Sequence, residues 1–132
     1  MSDSRPDPPP RIYRPLPFLH SKEEIEESLR FGTIEELLIL SLAVGENFQD
    51  WKYAQDICLH LAQHSSDEVR ANACLGLAYV ARTKHQLEKH LVKPILLQEL
   101  RCQTEFLWRI EDSVKDINRY MKWQLAHKHH DK

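Results

Sequence analysis

The chain has 132 residues, 42% of them hydrophobic and 29% charged, with a formal charge of −2. That fits one domain of common size, and it leaves no global basic field to hold nucleic acid. With 3 glycines and 7 prolines, neither a Gly-Pro-rich fibre nor a turn-rich β-sandwich is expected.

Six of the prolines fall within residues 1–17, so residues 1–20 read as a Pro-rich arm. Proline fixes φ and removes a donor, which bars the arm from helices and sheet interiors. Residues 1–10 read as a disordered leader. Ile12, Tyr13, Leu16, Phe18 and Leu19 are apolar enough to dock on the domain that follows. No secretory apolar stretch opens the chain and no run is long enough to span a membrane, so a cytoplasmic setting is expected.

From Ser21 the punctuation is helical. Ser21 with Glu24, Thr33 with Glu36 and Ser65 with Glu68 form three candidate capping boxes, and Gly32 and Gly45 stand where left-handed stops would close the first two helices. The pattern predicts helices at 22–30, 34–45, 49–64, 67–83, 86–101 and 104–125, one domain over 21–125, and a His/Lys-rich tail at 126–132. No stretch alternates with period two for long, so the fold class is all-α. Pro94 should kink the fifth helix or start a second piece.

The helix at 67–83 is apolar over most of its circumference and must be packed on two sides. Its remaining strip holds Asn72, Gly76, Tyr79 and Thr83, and Gly76 implies close approach of another backbone. In the last helix Leu107, Ile110, Val114, Ile117, Met121 and Leu125 recur at spacings of three and four, the seam of a capping helix closed on its own core. Trp108 falls off that seam among charges. It reads either as a binding anchor or as a ring packed under the Pro-rich arm.

A shift of 35 residues lays Ile34, Leu38, Leu42 and Ala43 on Val69, Ala73, Leu77 and Ala78; a shift of 34 lays Ile57, Cys58 and Leu61 on Leu91, Val92 and Ile95. Such an echo is expected of stacked helical hairpins. The run Ser66-Asp67-Glu68-Val69-Arg70-Ala71-Asn72-Ala73 resembles the opening of a HEAT-type repeat, clear over 66–101 and echoed from residue 33. The period is short for that family, and Thr33–Glu36 lacks the Asp and Val-Arg signature. The tetratricopeptide family fits by length but its Trp-Leu-Gly-Tyr pattern is missing. The HEAT resemblance implies a short right-handed α-solenoid with a C-terminal capping helix, and protein binding; it carries over no catalytic residue.

No glycine-rich phosphate loop, HExxH or GxSxG occurs, and the pairs Glu23-Glu24 and Glu26-Glu27 read as a solvated helix face. An enzyme is not expected, nor a cofactor. Asp56, His60 and His64 share one helix face, but eight residues of rise span about 12 Å, too far for one ion. Cys58 and Cys74 fall on apolar faces, leaving Cys102 as the candidate reactive thiol.

Charge is separated along the chain. Residues 21–70 carry four Lys/Arg against eleven acids, and residues 81–132 carry eleven Lys/Arg against seven. Glu35, Glu36, Glu46 and Asp50, at the ends of the second helix and its exit loop, are expected to cluster as an acidic edge that steers a basic partner. With Tyr79 and Trp108 they make up the candidate partner-binding set. A short chain without catalytic motifs, carrying an acidic face, resembles in general character the small bacterial immunity proteins. The expected function is therefore a non-enzymatic binding module that neutralises a toxin, with an adaptor or assembly subunit using the last-helix seam and Trp108 as the alternative. A monomer or weak dimer without membrane or nucleic-acid partners is expected.

Overall fold

The computed structural model describes residues 21–126. The Pro-rich arm, with its apolar stretch at 12–19, and His127, His129 and His130 lie outside the described residues. Among those described there are six helices and no strand: α1 Lys22–Phe31, α2 Ile34–Asn47, α3 Trp51–Leu61, α4 Asp67–Lys84, α5 Lys89–Cys102 and α6 Leu107–Met121.

Local chemistry sets most of these boundaries. Ser21 Oγ accepts from the Glu24 N–H, and Thr33 and Glu36 form a reciprocal capping box. The third cap is Ser66 rather than Ser65: its hydroxyl accepts from the Val69 N–H, and no capping box closes there. Asp50 caps α3 through the Tyr53 N–H, which starts that helix at 51 instead of 49. The left-handed stops are not at glycine. Gly32 has φ −71° and Gly45 lies inside α2, whereas His85 and Lys122 close α4 and α6 at φ 56° and 60°.

The expected starts and ends of α5 and α6 also shift. Gln55 Oε1 accepts from the Glu88 N–H at 2.6 Å, holding Gln86–Glu88 out of the helix. The side chain of Asn118 both accepts from the Leu125 N–H and donates to the Leu125 carbonyl, so Leu125 is buried from a turn and not from α6. Pro94 neither ends nor divides α5, which runs as one helix from 89 to 102. Pro94 and His90 are both exposed, so the carbonyl that loses its donor has water as a substitute.

The core gathers around α4, which packs against α2, α3, α5 and α6. Val69, Ala73, Leu77 and Val80 have no exposed surface, and neither do Ala71 and Cys74 on the other side, as expected of a middle helix. Contacts between α2 and α4 advance together along both helices: Leu38 with Asn72, Ser41 with Asn72, Gly45 with Thr83, Glu46 with Arg82. The two helices are therefore parallel. α6 is parallel to α4 by the same test, with Arg109 on Asn72 and Tyr120 edge-on to His85. The α6 seam is spent on this core, with Ile110, Val114 and Ile117 buried.

The α2–α4 crossing brings backbone against backbone. A Cβ on Gly45 would sit 2.5 Å from the Gly76 carbonyl oxygen, and one on Gly76 would sit 2.6 Å from that of Ser41. Only glycine permits this approach. Buried polar links cross the seam: Ser41 Oγ donates to the Asn72 carbonyl at 2.9 Å, and Asn72 Nδ2 donates to the Leu38 carbonyl at 2.8 Å. Polar links elsewhere, Lys52 to Glu88, Gln103 to Asp67 and Arg109 to Asn72, join residues 36 or 37 apart.

Candidate protein interface

The parallel layer α2, α4, α6 presents one long outer face. On α4, the side opposite the α3 and α5 contacts carries Glu68, Leu75, Tyr79 and Arg82. Beside it α2 offers Glu35, Leu42 and Glu46, and α6 offers Arg109, Asp112 and Asp116. Two inter-helix ion pairs brace the face. Arg82 pairs with Glu46 at the C-terminal end of α2, and its guanidinium lies 5.0 Å from the Tyr79 ring centroid. Arg109 pairs with Glu68 at 3.5 Å, donates to Asn72 Oδ1, and lies over the rings of Phe106 and Trp108.

The expected acidic edge does not assemble. Glu35 and Glu36 sit in the first turn of α2 and Glu46 near its end, so ten residues of helix rise keep Glu36 and Glu46 about 15 Å apart. Glu36 is occupied in the Thr33 capping box. Asp50 caps α3 and pairs with Lys22 at 3.8 Å, beside Tyr53, whose hydroxyl donates to Glu26. Burial and that carboxylate push the Tyr53 phenol up to about 12. Of the six candidate residues, Glu46 and Tyr79 are brought together, through Arg82. Glu35 and Glu36 belong to the opposite end of α2, and Asp50 to the α1–α3 corner. Trp108 stands on the outermost ridge of α6, 57% exposed.

Other expectations can be located as well. Cys58 and Cys74 are buried, and desolvation pushes both thiols up; Cys102 is exposed. His64 Nδ1 accepts from the Ser66 N–H at 2.9 Å, so one ring nitrogen serves the turn into α4. Among the described residues no cluster of three or more His, Cys, Asp or Glu is arranged to hold a metal ion, and no helix is long and apolar enough to cross a membrane. A cleft of about 170 Å³ lies between Leu29, Leu37, Leu61 and His60.

Sequence reasoning missed the lock at the other end of α4. Glu99 is 1% exposed, yet it accepts from Arg70 Nε at 3.2 Å and Gln103 Nε2 at 3.0 Å; Arg70 also donates to the His64 and Ser65 carbonyls. Arg70 and Glu99 are 29 residues apart and on different helices, so neither period nor motif links them in the sequence.

The fold defines an all-α class of six helices. No family model matches the chain, so the HEAT-type resemblance at 66–73 stands without a family match, and no curated protein matches either. Among solved structures it is similar to a chain from the crystal structure of a CDI complex from Cupriavidus taiwanensis LMG 19424, with a TM-score of 0.69 and 21% identity. The match covers 82% of this chain and 96% of that one, and at this identity it is a likeness of fold.

Proposed function

We propose that this chain is an immunity-type inhibitor: a non-enzymatic protein that neutralises a toxin domain in the cytoplasm by binding it directly. The observation that carries the reading is the fold shared over 96% of a chain taken from a contact-dependent inhibition complex. An ordered face with braced ion pairs and half-exposed apolar side chains is consistent with a protein partner. The parallel stacking of α2, α4 and α6 further supports reading the fold as a short helical solenoid. The adaptor alternative keeps Trp108 as its surface, since Ile110, Val114 and Ile117 of the last-helix seam are buried within the chain's own core.

Co-expression tests the reading. Cells producing the polypeptide encoded in the adjacent reading frame should stop growing, and adding this chain should restore growth through a complex that co-purifies. If growth stops and this chain neither restores it nor co-purifies with that polypeptide, the reading is wrong.

A further inference from the structure

We infer that the outer face of α2, α4 and α6, centred on Leu42, Leu75 and Tyr79 and flanked by Asp112 and Asp116, is the docking surface for a basic protein domain; this rests on the inhibitor reading above. The apolar centre is the first observation. Leu42, Leu75 and Tyr79 are half-exposed and belong neither to the core cluster nor to the partly buried side chains packed against it. They lie on adjacent parallel helices held at backbone contact by Gly45 and Gly76, so the patch is preorganised and loses little freedom on binding.

Charge supplies the occupant's chemistry. The two guanidiniums on the face, Arg82 and Arg109, are already matched to Glu46 and Glu68. Glu35, Asp112 and Asp116 make no ion pair or hydrogen bond among the described residues, so three carboxylates on the face are left for a partner. A partner with Lys or Arg around an apolar contact would complement them, and its approach would be steered. Lys115 and Arg119, three residues beyond Asp112 and Asp116 on α6, lie on the flank turned further from α4 and offset part of this charge. Trp108, on the outermost ridge of α6, is the competing anchor.

The probe is the purified polypeptide of the adjacent reading frame, immobilised for kinetic binding to the full chain. Asp112→Lys with Asp116→Lys should slow association about tenfold at low salt, an effect that shrinks as salt screens it. Tyr79→Ala should raise the dissociation rate at least about tenfold. Glu23→Lys with Glu27→Lys places the same charge change on α1 and should alter association less than about twofold. Each variant must melt as the parent does; Leu75→Gln, half-exposed on the same patch, replaces Tyr79→Ala should that variant unfold. If the parent chain does not bind the probe, the inhibitor reading fails and this inference with it. If the parent binds but the face variants bind equally well, or if the α1 control slows association as much as they do, the face alone is refuted. Loss of binding on Trp108→Ala, with the face variants unaffected, also refutes it.

Discussion

Gly76→Ala is the sharpest test of the α2–α4 crossing. In a solvated helix the change would be favourable by about 1 kcal/mol, because alanine loses less backbone entropy on becoming helical. Here the new Cβ would lie 2.6 Å from the Ser41 carbonyl oxygen and 2.8 Å from Cys58 Sγ. The oxygen belongs to the backbone of α2 and cannot rotate away, so the two helices must separate by on the order of 1 Å to restore contact distance. That opening stretches the Ser41 hydroxyl from the Asn72 carbonyl and the Asn72 amide from the Leu38 carbonyl. Two buried hydrogen bonds at about 1 kcal/mol each, plus about 1–3 kcal/mol of overpacking, outweigh the helix gain. The net is a loss of about 2–4 kcal/mol, or about 8–15 °C in the melting midpoint for a domain of this size. Urea and thermal unfolding followed by far-UV circular dichroism measure it. A variant as stable as the parent, or more so, would show that the helices do not meet at backbone contact.

Arg70→Ala should lower stability by about 3 kcal/mol in urea unfolding, because it strands Glu99 as a buried charge, and adding Glu99→Leu should recover part of that loss. The Glu88 carboxyl is held below its usual value of 4.5 by hydrogen bonds from Lys52 and then Gln55. Its contribution to stability is therefore complete above 4.5 and lost as pH falls through its depressed folded value; Lys52→Met should move the Glu88 NMR titration upward and flatten the acid limb of the melting curve. A thiol reagent should modify Cys102 fast in the native protein, and Cys58 and Cys74 only on unfolding, so rapid modification of all three would contradict the burial described.

What could be read from the sequence was what depends on neighbours in it. Thr33 and Glu36 stand three apart and their capping box forms; the α6 seam repeats at three and four and its middle, Ile110, Val114 and Ile117, is buried; Gly76 stands alone in an apolar helix and marks a close crossing. Boundaries failed where a distant side chain decided them. Gln55 takes the Glu88 N–H from 33 residues away, and no local rule anticipates it. Gly45 misled for a related reason: as a short-range signal it reads as a stop, yet its role is to admit the Gly76 carbonyl. The acidic residues were found, but their grouping was not, because spacing along α2 sets their distance while Arg82 and Lys22 from other helices set their partners.

The position of α4 has a consequence for the order in which the molecule comes apart. Its amides are covered by α2, α3, α5 and α6, whereas α1 packs chiefly on α2 and buries only Ile25. Hydrogen exchange in α4 therefore requires global opening, while α1 can detach in a local excursion of much lower free energy. The acidic leading helix can fray and reclose many times before the three parallel helices lose their register.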